Sequence, residues 1–269
     1  MIESIFRLLD TLGPKDRGSK KLAADVAYGR HARQKLDVYA PVIRNRVLPV
    51  IAFFYGGSWM DGDRRFYQFA GRALAALGYI VVIADYRVLP DVEYPGFLDD
   101  GFRAFEWIVS NIASFGGDPE RIALVGHSAG AYNAVMLALD KRYLIDNGHL
   151  KRLRGVAGLS GPYDFFPFDV DISIRTFGAV RDGRSTQPIQ HVSPEAPPMF
   201  LATGTHDSLV GPHNTINLAE RLRAAGVQVT EKHYQGLGHA APLLALNRIW
   251  RRKAPVLSDL AQFLAARLN

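Results

Sequence analysis

At 269 residues, with 48% apolar side chains, 25 glycines and 15 prolines, the chain is long enough to bury one sizeable α/β core. It has no cysteine, which excludes disulfides, thiolate nucleophiles and cysteine-ligated zinc. The net charge of +6 comes from basic runs in separate segments, 15–21, 30–35, 64–65, 151–154 and 248–253; no nucleic-acid-binding motif accompanies them, so they read as solvated surface.

No stretch reaches the roughly 18 uninterrupted apolar residues of a membrane span. Residues 1–10 lack the basic start, apolar core and small-residue cleavage site of a signal peptide, so a cytoplasmic, single-domain protein is expected.

In chain order, Ile2, Ile5, Phe6, Leu8, Leu9 and Leu12 recur at roughly helical spacing, and a polar linker follows. This predicts an N-terminal helix or arm over 1–21, docked on the body, with a flap beside a substrate entrance as the other reading. Residues 26–28 and 35–39 read as outer strands, the second ending at Pro41. Residues 48–55 form the first wholly apolar strand and run into Gly56-Gly57-Ser58-Trp59, small residues that let backbone N–H groups point at a ligand.

A helix over 66–77, Gly78 as its stop, and a buried strand over 79–84 complete one βαβ unit. A second helix is expected over 98–115. The pattern continues with strands over 121–125, 155–159, 198–203 and 227–233, and with helices over 129–139, 213–225 and 256–268. Apolar strands interleaved with amphipathic helices imply a parallel sheet covered on both faces. Residues 160–197 lack periodicity and carry Phe165, Phe166, Phe168 and Phe177; such a connection reads as a loop or small lid, its phenylalanines either lining an acyl pocket or anchoring the loop.

Strand 121–125 runs into Gly126-His127-Ser128-Ala129-Gly130 and then into a helix. Glycines two residues either side of a serine permit a strained strand-to-helix turn, which lifts the hydroxyl above the sheet. The amides that open the helix face the same place and favour developing negative charge.

Ligands of open α/β sheets sit at the carboxyl ends of strands, so acids and histidines just past strand ends are the candidates for the rest of the group. Asp207 follows the strand at 198–203, and His239 follows the last one in Gly238-His239. A serine hydroxyl needs an imidazole to take its proton, and the imidazole needs a carboxylate to fix its tautomer, so Ser128, Asp207 and His239 are the catalytic candidates. His127 and His206 are rival histidines, and Asp164 is a rival acid.

Tyr55-Gly56-Gly57-Ser58-Trp59, Asp85-Tyr86-Arg87-Val88-Leu89-Pro90, Gly126-His127-Ser128-Ala129-Gly130, the 204–210 acid loop and Gly238-His239 together resemble the α/β-hydrolases. Within them, the chain is similar over roughly 35–265 to the hormone-sensitive-lipase-like carboxylesterases and the related arylformamidases (kynurenine formamidases). The resemblance implies an α/β-hydrolase fold, with a mostly parallel central sheet of about eight strands, helices on both faces and a minimal cap. Tyr55 stands where that family usually has histidine, and Ser58 where it has a third glycine. Carried over by position, the oxyanion donors are the amides of Gly57, Ser58 and Ala129.

Trp59, Tyr132, Phe165, Phe166 and Phe168 are the pocket candidates. The implied activity is hydrolysis of short-chain carboxylic esters through an acyl-enzyme, without metal or cofactor. N-formylkynurenine hydrolysis is the alternative, and a non-catalytic ligand-binding protein is a further one. A homodimer is left open.

Overall fold

The computed structural model describes residues 13–269. Residues 1–12, which carry the apolar positions of the expected N-terminal helix, lie outside the described residues.

Eight strands form one sheet in the order β1-β2-β4-β3-β5-β6-β7-β8. β1 (Ser19–Ala27), β2 (Lys35–Pro41) and β4 (Ile80–Ala84) pair antiparallel. The remaining pairings, through β3 (Leu48–Phe54), β5 (Gly117–His127), β6 (Leu153–Leu159), β7 (Met199–Gly204) and β8 (Val229–Tyr234), are parallel. Every residue of β3 and β4 is buried. Successive side chains of a strand point to opposite faces, so these strands are covered on both.

The connections are α1 (Gln68–Ala76), α2 (Gly96–Asn111), α3 (Ala129–Leu139), α4 (Asp171–Phe177), α5 (His213–Ala224), α6 (Ala241–Leu244) and α7 (Val256–Leu268). α2 buries Phe97, Leu98, Gly101, Ala104, Phe105 and Ile108, the single stripe expected of a surface helix. α3 buries all of its residues, so this helix lies inside the core and its first turn is held rigidly.

Two expectations change. The first strand covers Ser19–Ala27, where the sequence suggests a linker and a strand at 26–28 only. It is an edge strand with register shifts at Lys21/Ala23 and Ala23/Val26, and only Leu22 and Val26 in it are apolar side chains larger than alanine, so no continuous apolar run reveals it. Polar pairing holds it: Lys21 Nζ lies 2.6 Å from Asp37, and the Arg64 guanidinium bridges Asp25, Asp37 and Asp85. In the 160–197 connection, α4 and two short 3₁₀ turns, Gly183–Thr186 and Pro188–His191, give local structure to a segment read as irregular.

The sheet order places the site. The chain passes from β3 to β4 on one side and returns to β5 on the other, so β3 pairs with both. A reversal of winding opens a crevice at the carboxyl ends of the two flanking strands. The loops leaving β3 and β5 are Gly56–Trp59 and the Ser128 turn. Among the described residues, no helix is long and apolar enough to cross a membrane.

Candidate active site

Ser128 occupies a left-handed backbone conformation, φ 55° and ψ −126°, at the N-cap of α3. A Cβ at Gly126 would lie 2.2 Å from the Gly130 carbonyl oxygen, and one at Gly130 would lie 2.2 Å from the Phe54 oxygen and 2.4 Å from that of Tyr55. Only glycine fits where β5, α3 and β3 converge, and that convergence sustains the strain at Ser128. The Ser128 amide donates to the Leu159 carbonyl at 2.9 Å, which fixes the turn against β6.

Ser128 Oγ lies 2.9 Å from His239 Nε2. His239 Nδ1 lies 2.9 Å from Asp207 Oδ2 and 3.1 Å from Oδ1. A carboxylate only accepts, so Nδ1 carries the proton and Nε2 is left as the acceptor for the serine hydroxyl. Asp207 also accepts the amides of Leu209 at 3.1 Å and Val210 at 3.0 Å. Burial alone would raise this carboxyl, but the hydrogen bonds and the His239 charge outweigh it and hold it below its usual range.

The loop after β3 is held open from behind. Gly57, Ser58 and Trp59 have φ of 149°, 53° and 54°. A Cβ at Gly57 would lie 2.1 Å from the Asp61 oxygen. The Met60 and Asp61 amides turn back onto the Gly57 carbonyl at 3.0 Å, and Trp59 Nε1 donates to Asn133 Oδ1 of α3 at 3.1 Å. Among the described residues, the Gly57, Ser58 and Ala129 amides donate no backbone hydrogen bond. Ser58 and Ala129 face the same cavity as Ser128.

Tyr55 lies behind this loop, wholly buried and stacked between Tyr67 and Tyr86. Its hydroxyl donates to Asp85 Oδ1 at 2.6 Å and accepts from Arg33 Nη2 at 3.1 Å. Arg33 also reaches the Gly62 carbonyl, and Tyr86 donates to the Tyr55 carbonyl, both at 2.8 Å. Burial pushes the Asp85 carboxyl above its usual range despite the donors from Tyr55 and Arg64.

The cavity in front of Ser128 has a volume of about 590 Å³. Its wall combines the two loops with residues from 162–173 and 208–214. Trp59, Phe165 and Phe166 line it; Tyr132 and Phe168 are not in the wall. Tyr132 sits on the fully buried α3 and donates to the Thr186 carbonyl at 2.6 Å, while Phe168 packs on Phe165, Phe166 and Phe177. Both anchor the 160–197 segment instead.

Of the rivals, Asp164 lines the cavity with its carboxylate held by Asn217 Nδ2 at 2.7 Å, and His206 is exposed. His127 is buried beside Ser128 and donates from Nε2 to the His239 carbonyl at 3.1 Å. The sequence reading missed Val170, Leu209, Val210 and His213 as wall residues. The one signal was for Leu209 and Val210, apolar side chains two and three residues after Asp207 in a loop.

The profile of the BD-FAE family matches residues 36–222. Esterase LipC of Mycobacterium tuberculosis (strain ATCC 25618 / H37Rv) is 31% identical over 240 residues, covering 81% of this chain and 60% of that protein. Isoprenylcysteine alpha-carbonyl methylesterase ICME of Arabidopsis thaliana is 27% identical over 245 residues, covering 82% and 57%. The chain thus spans little more than half the length of these relatives. A thermostable esterase from Pseudomonas putida ECU1011 superposes with a TM-score of 0.77 at 25% identity, covering 99% of this chain and 89% of that one.

Proposed function

The chain belongs to the BD-FAE family and has the α/β-hydrolase fold, and on that footing we propose that it is a serine hydrolase of short-chain carboxylic esters. One observation carries the reading. The Asp207–His239–Ser128 chain of hydrogen bonds ends, at 2.9 Å, on a hydroxyl facing a cavity that also receives Ser58 and Ala129. Relatives named as esterases support the same chemistry.

In this reading His239 Nε2 takes the Ser128 proton as Oγ attacks the ester carbonyl, and the buried Asp207 stabilises the imidazolium that forms. The carbonyl oxygen becomes an anion within reach of the Gly57, Ser58 and Ala129 amides, whose loop is already rigid, so no reorganisation is spent during the reaction. His239 returns the proton to the leaving alcohol. The same imidazole then activates water against the acyl-enzyme. A cavity of about 590 Å³ with Trp59, Phe165 and Phe166 in its wall suits a compact ester.

The test is hydrolysis of p-nitrophenyl esters from acetate to laurate beside Ser128→Ala. Turnover of the short esters, lost in the variant, is the expected result. Turnover retained by Ser128→Ala would overturn the nucleophile assignment. Turnover of N-formylkynurenine exceeding that of p-nitrophenyl acetate would replace the ester by the formamide.

A further inference from the structure

His127 lies where the Ser128 turn, the His239 loop and the loop after β3 meet. It precedes Ser128 in the chain, and its Nε2–H donates to the His239 carbonyl at 3.1 Å across 112 residues of sequence. Its other nitrogen, Nδ1, is buried without a partner and faces the oxyanion loop, where a Cβ added to Gly56 would lie 3.2 Å from it and 2.8 Å from the Ser128 Cβ. The two imidazole rings stand 5.1 Å apart. The loop bearing His239 leaves β8 at the opposite side of β6 and β7 from Ser128, so the backbone ladder that aligns β5 with β3 does not set its distance from the nucleophile.

We propose that His127 is a positioning residue: as a neutral hydrogen-bond donor it fixes the His239 backbone relative to Ser128, and so sets the Oγ to Nε2 distance on which proton transfer depends. This rests on the serine-hydrolase reading. Burial first, and the neighbouring His239 second, lower the His127 imidazole to about 3. The ring therefore stays uncharged when His239 takes the serine proton, and no second cation opposes that step. A fixed donor is the role left to it, because its only unprotonated nitrogen points at the Gly56 backbone and not at the hydroxyl.

The test compares His127→Gln, His127→Phe and His127→Asn on p-nitrophenyl acetate, with melting temperatures. A glutamine amide reaches the position of Nε2 and can donate to the His239 carbonyl. Phenylalanine fills the space without donating, and asparagine donates only near the position of Nδ1. The expected result is kcat within about 3-fold of the parent for His127→Gln, and a fall of about 10- to 100-fold for His127→Phe and His127→Asn with KM little changed, the scale of a small misplacement of reacting groups. Equal kcat in all three variants would overturn the proposal, whether that value matched the parent or fell together with the melting temperature. If His127→Phe does not fold, His127→Asn against His127→Gln carries the same comparison. Failure of the hydrolase reading is separate: it shows as absence of ester turnover and of fluorophosphonate labelling of Ser128 in the parent protein.

Discussion

The Asp207 carboxylate receives the Nδ1–H of His239 on both of its oxygens, at 2.9 and 3.1 Å, while two backbone amides from its own loop hold Oδ1 in place. This arrangement permits one histidine tautomer. Asp207→Asn would present an amide N–H to Nδ1, put the proton on Nε2 and leave no acceptor for the serine. The expected result is a fall in kcat of about 10³- to 10⁴-fold with the fold intact, measured by steady-state kinetics and circular dichroism.

The same carboxyl links stability to pH. Its folded pKa lies below the usual value, so its contribution is complete above about pH 3.9 and is lost as pH falls through the lowered folded value. Unfolding by denaturant between about pH 5 and 2 is expected to show a steeper loss of stability in the parent than in Asp207→Asn.

His127 acts in a higher window. An imidazole that falls from 6.5 in the unfolded chain to about 3 in the folded one contributes stability above about pH 6.5. That contribution drains away as pH falls toward 3, because the unfolded chain binds the proton first, with a slope of up to about 1.4 kcal/mol per pH unit. His127→Gln is expected to flatten the melting temperature between pH 6.5 and 4. An unchanged slope would mean that His127 is protonated in the folded protein.

Two glycines separate clash from conformational cost. A Cβ at Gly130 would meet the backbone of β3 at 2.2 Å, whereas Gly226, with φ of +82°, has nothing within 4 Å. Gly130→Ala must move β3 or α3 and is expected to cost about 3 kcal/mol or more and to abolish turnover. Gly226→Ala is expected to cost about 1–2 kcal/mol with kcat preserved. Thermal unfolding and ester hydrolysis of the pair check both.

Tyr55 supports the proposed oxyanion loop through its hydroxyl. Tyr55→Phe removes the 2.6 Å bond to Asp85 and leaves a buried carboxylate one donor short. The expected cost is about 1–3 kcal/mol of stability, together with a fall in kcat of about 10-fold as the loop loosens. Stability and kcat equal to those of the parent would show that Arg33 and Arg64 suffice.

The sheet and the convergence at its carboxyl edge were legible because both have short-range signatures. Continuous apolar runs mark β3 to β7, and Gly126-His127-Ser128-Ala129-Gly130 marks the turn. Only the end of β1, within the strand expected at 26–28, was legible, since Lys21 and Asp25 hold the rest of it through ions on other segments. Tyr132 and Phe168 read as wall residues because an aromatic side chain looks the same in a sequence whether it faces a cavity or fastens a lid. The bond between His127 and the His239 carbonyl left no local trace at all.

The cavity wall and the proposed reacting groups come from different stretches of chain. Ser128, Asp207 and His239 stand at strand ends, while most of the wall comes from 162–173 and 208–214. Substitutions in those two stretches can therefore reshape what the protein accepts without moving a strand. Such a division makes the scaffold evolvable: new substrate preferences can be tried one loop at a time, with the chemistry inherited unchanged.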